Sequence, residues 1–169
     1  MDTKQLKEIQ APIKERYEAD PDAAQITLEA EGRLDEGIAC SVRTSQAMVR
    51  AGLHPGTGGD GMAACSGDML LEALVACAGV TMRAVATSMG LEANGSVHAE
   101  GDLDWRGTMA VEKGAPVGFT AIRLRFELDS GASDEELETL QRLTERYCVV
   151  FQTLAGSPEL DVALARARP

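Results

Sequence analysis

The segment that decides the fold is residues 66–90, SGDMLLEALVACAGVTMRAVATSMG. It is the longest apolar run of the chain and is rich in Ala, Leu and Met, which are strong helix formers. Ser66 is a candidate N-cap, Asp68 puts negative charge in the first turn, and Gly90 suits a left-handed helix end. The segment predicts a long, buried central helix. One face has helical spacing at Leu70, Leu74, Cys77, Thr81 and Ala84.

Composition limits the functions that this chain can have. Its 169 residues suit one domain with a proper core, and 27 acidic against 16 basic side chains give a net charge of −11. Such an acidic chain has no generic attraction for nucleic acid or anionic membranes. The N-terminus lacks the pattern of a secretory signal, so we expect a cytoplasmic protein. Glu72 and Arg83 inside the apolar segment favour a core helix over a membrane span.

The sequence pattern divides the chain into two predicted parts, an N-terminal arm and a main domain. Residues 1–23 form a predicted helical arm, because apolar side chains recur at helical spacing between Lys and Glu. Pro12 is expected to kink or split that helix. Residues 24–169 form the predicted main domain.

Strand patterns flank the central helix. Residues 25–30 and 38–43 alternate apolar and polar side chains and are joined by a predicted turn at 32–37, which contains Arg33. Further along, Ser133 and Glu136 form a capping box, so a helix should begin at Asp134. Segments 95–105, 119–128 and 159–163 are further predicted strands, and 105–118 is a candidate edge strand with a turn. The whole pattern predicts an α+β fold with an antiparallel sheet packed on the central helix.

Four cysteines carry the candidate chemistry: Cys40, Cys65, Cys77 and Cys148. A free cysteine usually behaves as an inert, buried apolar residue. Cys65 precedes the central helix, where backbone N–H groups can lower a thiol pKa. Cys77 lies about 16 Å from the start of that helix, so a nucleophilic Cys77 needs activation from elsewhere. No metal-ligand spacing is present, and the glycine-rich loop at 56–61 lacks the strand or Lys that a nucleotide site requires.

Two segments resemble the OsmC and organic hydroperoxide resistance family. DMLLEALVACAGVTMRAVATSMG (68–90) is similar to the family's central-helix signature, and RYCVVFQTL (146–154) is similar to its second-cysteine segment. A looser resemblance extends from about residue 25 to residue 162. It implies an OsmC-like fold and an intertwined homodimer with sites at the subunit interface.

The resemblance also implies thiol peroxidase chemistry without metal or cofactor. Cys77 would attack a hydroperoxide and become a sulfenic acid, and Cys148 would resolve it as a disulfide. The string EGRLDEG matches the family's Gly-Arg turn, so Arg33 is the implied activating cation. Family reductants are thiols, including dihydrolipoyl proteins.

This chain departs from the family pattern at two positions. Gly67 stands where a glutamate often holds the arginine, so Asp68 is the candidate replacement, with Glu72 as the alternative. Val149 follows the second cysteine where the family usually has proline. Two other functions stay open: a redox-sensing or binding protein on the same fold, and a structural dimer with inert cysteines.

Overall fold

The computed structural model describes residues 3–35, 39–42, 51–62, 64–164 and 166. Its longest element is helix α2, Ser66–Met89, within the bounds predicted from composition. The helix ends at Gly90, whose φ of 70° and ψ of 22° are left-handed as expected. Its N-cap residue is Cys65, so the prediction that Ser66 caps the helix was wrong.

One face of α2 is buried, and the predicted face was only partly right. Of the predicted residues, Leu74 is fully buried, whereas Leu70 is 37 % exposed and Cys77 is half-buried. Through its length and composition α2 could cross a membrane, but its apolar stripe belongs to the protein core. The core stripe lies slightly further round the helix, at Leu71, Leu74, Val75, Ala78, Gly79, Met82, Val85 and Ala86.

A four-stranded antiparallel sheet packs on α2, in the order β2-β1-β5-β6. The strands are β1 (Gln25–Asp35), β2 (Ala39–Val42), β5 (Asn94–Asp104) and β6 (Phe119–Asp129). Two short strands, β3 (Ala51–Gly52) and β4 (Ala64–Cys65), form a separate parallel pair. The α+β fold with an antiparallel sheet on a long helix is confirmed.

Strand β1 is longer than its sequence pattern predicts. It continues to Asp35, so Arg33 lies in the strand, opposite Ser41 and Ser96. The predicted turn was therefore wrong for residues 32–35, and residues 36 and 37 lie outside the described part of the chain. The reason is the partner strand: β5 has eleven residues and offers ladder partners beyond the point where Gly32 was expected to turn the chain.

In the C-terminal half, the helices and strands agree with the sequence predictions except at two segments. Strand β6 and helix α4 (Asp134–Tyr147) form as predicted, and Ser133 and Glu136 make the capping box. The segment after β5 forms a short helix, α3 (Trp105–Thr108), instead of an edge strand. Helix α5 spans Val149–Gly156, and the predicted strand at 159–163 is irregular chain, where Leu160 is 84 % exposed.

The N-terminal arm is one continuous helix, α1 (Thr3–Ala19), with Pro12 inside it. Pro12 removes one intrahelical hydrogen bond without splitting the helix, contrary to one of the outcomes expected. Tyr17 is buried and donates a hydrogen bond of 2.7 Å to the carbonyl oxygen of Gly56. The arm therefore packs on its own chain, while the domain boundary at residues 23 and 24 stays a prediction.

Candidate active site

The fold brings two thiols together that are 71 residues apart in the sequence. Cys77 lies in the middle of α2 and is half-buried, whereas Cys148 is 1 % exposed at the junction of α4 and α5. The two thiols lie close enough for each to shift the pKa of the other. This contact arises because α2 packs against both C-terminal helices.

Cys148 separates α4 from α5 through its extended backbone, with φ −73° and ψ 109°. Its N–H ends α4 by donating to the carbonyl oxygen of Thr144 at 2.9 Å. Its Sγ caps α5 by accepting from the N–H of Phe151 at 3.5 Å. The Gln152 side chain also donates to the carbonyl oxygen of Glu145 at 2.8 Å, which ties α5 to α4. Cys148 is therefore held at a fixed corner.

The first turn of α5 is directed at the two sulfur atoms. The N–H of Phe151 donates to the Cys148 sulfur at 3.5 Å, and the N–H groups of Val149 and Val150 lower the pKa of Cys77. N–H groups at a helix start have no partner within the helix and carry partial positive charge. Cys77 therefore lies in the middle of its own helix and at the N-terminus of another.

These contacts change the acidity of the two thiols in opposite directions. Burial raises the pKa of Cys77, but the N–H of Val150, the Cys148 thiol, the N–H of Val149 and the Thr81 hydroxyl lower it, and the net direction is downward. Burial raises the pKa of Cys148, and the neighbouring Cys77 raises it further, against hydrogen bonds from the start of α5. Of the two thiols, Cys77 is therefore the one that ionises more readily.

Within the described part of the chain, the structure places neither of the other two predicted site residues, Arg33 and Asp68, at the thiol pair. The Arg33 backbone is in β1, but its side chain is outside the part of the chain that the structure describes, as is that of Cys40. Asp68 lies nine residues before Cys77, which is about 14 Å along α2 and half a turn round it. Burial raises the pKa of Asp68, and nearby His54 lowers it. The roles of Arg33 and Asp68 stay predictions.

A second cysteine environment lies at the start of α2. Cys65, His54 and Trp105 line a cavity of about 390 Å³. The His54 ring stacks on Trp105 at 5.1 Å between centroids, and its Nδ1 accepts from the N–H of Gly56 at 2.9 Å. Cys65 makes no side-chain cap hydrogen bond. Within the described ranges, no group of three or more His, Cys, Asp or Glu side chains could hold a metal ion.

A second, apolar cavity of about 300 Å³ lies between β6 and α5. Two of its lining residues adjoin the thiols: Leu74 is three residues before Cys77, and Phe151 donates its N–H to Cys148. The remaining lining comes from Phe119, Thr120, Ala121, Ile122, Leu124, Leu154 and Ala155. The apolar lining suits an alkyl group, and it includes a neighbour of each thiol, although neither cysteine lines the cavity itself.

Sequence reasoning missed the first turn of α5 and the hydroxyl of Thr81. The signal for Thr81 was present, because it lies four residues after Cys77 on the same helix face. The signal for α5 was weaker: the short apolar segment after Cys148 is consistent with a helix. Nothing in its sequence shows that its N–H groups meet a sulfur from residue 77.

Comparisons with known proteins agree with this architecture. A family model described as OsmC-like protein matches residues 58–163, more than half of the chain. The structure is similar to that of an OsmC-like hydroperoxide resistance protein from Jannaschia sp. CCS1, with a TM-score of 0.57 and 16 % identity. That similarity covers 86 % of this chain and 95 % of the other, and at this identity it shows the fold. No curated protein sequence matches. With the family match over its central helix and thiol pair, the chain belongs to the OsmC-like protein family.

Proposed function

We propose that this protein is a thiol-dependent peroxidase that reduces organic hydroperoxides and protects against oxidative stress. The observation that carries the proposal is the asymmetry of the thiol pair. Cys77 is half-buried with a lowered pKa, whereas Cys148 is buried with a raised pKa and contacts it. An accessible thiolate beside a protonated thiol is the arrangement that attack followed by resolution requires.

The proposed reaction has two steps on the protein. The Cys77 thiolate attacks the terminal oxygen of the hydroperoxide, so that an S–O bond forms and the O–O bond breaks. The alkoxide leaves and takes a proton from solvent, and Cys77 becomes a sulfenic acid. Cys148 then attacks that sulfur, which forms the Cys77–Cys148 disulfide and releases water. A thiol reductant restores both thiols by two thiol–disulfide exchange steps and is itself oxidised to a disulfide.

The pocket between β6 and α5 supports an organic rather than an inorganic substrate. Its apolar lining includes Leu74, which is one helical turn from Cys77, and Phe151, whose N–H donates to Cys148. Burial of an alkyl group there is favourable by roughly 25 cal/mol per Å² of apolar surface removed from water. Hydrogen peroxide gains nothing from such a lining and serves as the comparison substrate.

Several further features belong to the proposal. Arg33 is the proposed activating cation and Asp68 its proposed anchor. We also propose a cytoplasmic homodimer whose reductant is a dithiol, a dihydrolipoyl protein being one candidate. Two apolar side chains next to Cys148 are exposed, Tyr147 by 62 % and Val149 by 71 %, which supports the proposal that a second subunit covers this surface. Sedimentation at low micromolar concentration should show a single species of twice the chain mass.

A peroxide-consumption assay with a dithiol reductant tests the function. Wild type should consume cumene hydroperoxide faster than hydrogen peroxide, Cys77→Ser should consume neither, and Cys65→Ser should stay close to wild type. Oxidation of Cys77 without turnover would instead support the redox-sensing alternative. Equal, slow consumption by wild type and Cys77→Ser would refute a peroxidase based on Cys77.

A further inference from the structure

We propose that the N-terminal arm is a latch on the cavity at the start of α2: Tyr17 of α1 holds the loop that forms one wall of this cavity, and release of the arm opens that wall. The wall loop is residues 54–59, and its His54 lines the cavity together with Trp105. The thiol pair is not part of this device, which goes beyond the proposed function and does not depend on it.

The latch is a long-range hydrogen bond from a buried side chain. Tyr17 is 2 % exposed, and its hydroxyl donates to the carbonyl oxygen of Gly56 at 2.7 Å. The Arg16 guanidinium lies 5.5 Å from the centre of the Tyr17 ring and donates to the carbonyl oxygen of Ala23 at 3.3 Å. The end of α1 is therefore attached both to the chain that follows it and to the wall loop.

Gly56 connects the latch to two rings of the cavity wall. Its N–H donates to Nδ1 of His54 at 2.9 Å, and the His54 ring stacks on Trp105 with 5.1 Å between the centroids. A Cβ atom at Gly56 would lie 2.6 Å from Nε1 of Trp105, so only glycine lets the loop approach the indole this closely. One residue therefore joins the arm to both rings.

The closed wall leaves one donor unsatisfied. Nε1 of Trp105 is buried and has no hydrogen-bond partner among the residues that the structure describes. A buried donor without an acceptor is unfavourable, and water would supply an acceptor once the wall loop moves away. The loop can move as a unit, since the N–H groups of Thr57 and Gly59 both donate to the carbonyl oxygen of His54, at 2.8 and 3.1 Å. The hydrogen bond from Tyr17 therefore helps to decide between the closed and the open position.

The arm is suited to release because few of its side chains attach it to the core. Of the α1 side chains that the structure describes, Tyr17 is buried, Ile13 and Lys14 are half-buried, and the others are exposed. Pro12 also removes one hydrogen bond from within the helix. A segment with few buried contacts opens locally at a lower free energy than the whole protein needs to unfold. The arm can therefore detach while the core stays folded.

Acrylamide quenching of tryptophan fluorescence tests the latch, because Trp105 is the only tryptophan of the chain and is 7 % exposed. Tyr17→Phe keeps the ring and removes the hydroxyl, so quenching should increase. Cys65 lines the same cavity, and its alkylation by iodoacetamide is followed by mass spectrometry of its peptide. That alkylation should become about fivefold faster in Tyr17→Phe, as expected for one hydrogen bond lost from the closed state. Tyr147→Phe is the matched control, since Tyr147 is the only other tyrosine and is 62 % exposed, and it should change neither readout.

Tyr17→Ala removes the anchor altogether and should increase both readouts further than Tyr17→Phe. Two outcomes overturn the inference: either readout stays at the wild-type level in both Tyr17 variants, or Cys77 alkylation accelerates as much as that of Cys65, which indicates loosening of the whole fold. A wild-type protein that consumes no hydroperoxide, with the expected changes in Tyr17→Phe, would refute the proposed function and leave the latch standing.

Discussion

Cys65 and Cys77 both lie at the N-terminus of a helix, and their surroundings differ sharply. Cys65 is the N-cap residue of α2, which has 24 residues, yet its side chain makes no capping hydrogen bond. Cys77 meets the start of α5, which has only 8 residues, and receives hydrogen bonds from two of its N–H groups. Cys65 directly precedes the longer helix in the sequence, so helix length and sequence position would both have favoured Cys65 as the thiol with the lowered pKa.

The lowered pKa of Cys77 comes from close N–H groups at the start of a short helix, so helix length is not what matters there. The field at a helix terminus comes largely from the unpaired N–H groups of the first turn and falls off within that turn. A sulfur that accepts those N–H groups gains from them, whichever helix carries it. The pKa of Cys77 is lowered by N–H groups of a helix other than its own, and Cys148 forms the corner at which that helix begins.

The largest expected effect concerns the choice of disulfide partner. Mild peroxide treatment should form a Cys77–Cys148 bridge, because these thiols already touch, whereas Cys65 lies about 18 Å away along α2. Cys148→Ser should therefore attack hydroperoxide once and lose repeated turnover, while Cys65→Ser should turn over within about twofold of wild type. Peptide mapping after alkylation measures the pairing. A dominant Cys65–Cys77 bridge would remove Cys148 from the mechanism.

An intermediate effect is expected for the predicted cation. Arg33→Ala should raise the pKa of Cys77 and slow attack about tenfold at pH 7, since a nearby guanidinium favours the thiolate and one pKa unit is a factor of ten. At a pH above that raised pKa the sulfur is a thiolate in both proteins, so the difference should shrink. Asp68→Asn should give a weaker form of the same defect.

Stopped-flow rates across pH, with Cys77 alkylation as a second measure, test this prediction. The matched control is Arg43→Ala, which should leave the rate unchanged. If Arg33→Ala reacts like wild type at every pH, Arg43 becomes the next candidate. If neither variant is slowed, the N–H groups of α5 and the Thr81 hydroxyl are sufficient to activate Cys77.

The smallest expected effect concerns a single backbone donor, the N–H of Val149. Proline is tolerated in the first position of a helix, so Val149→Pro should remove the N–H that faces Cys77 and keep α5. Attack should slow about threefold, as expected for one of several donors to a thiolate. Val149→Ala keeps the N–H and should match wild type in stopped-flow measurements. A loss of rate in the alanine variant would point to packing of the valine side chain instead.

Local signals predicted many of the elements correctly. Composition alone located α2 to within one residue, and the capping box at Ser133 marked the start of α4. The strict alternation in β6 likewise predicted a strand with one solvated face. These features depend on neighbours within a few residues, which is the range over which propensity and periodicity act.

Features that depend on distant partners could not be predicted in this way. Arg33 was expected in a turn but lies in β1, because β5 supplies ladder partners as far as Ser96. The alternating tail at 159–163 was expected to be a strand but is exposed, irregular chain. The choice of which α2 face to bury was made by the packing of the sheet, and it shifted the core away from Leu70.

The sequence by itself determined the central helix and the antiparallel character of the sheet, and two short segments in it led to the prediction that Cys77 and Cys148 act as a pair. Only the tertiary structure decided why those two thiols differ. The two thiols are 71 residues apart in the sequence, and the packing of α2 on α4 and α5 brings them together. The pKa of a thiol depends on the donors that lie within hydrogen-bond distance of its sulfur. The N–H groups of Val149 and Val150 come within that distance of Cys77 only once the chain has folded.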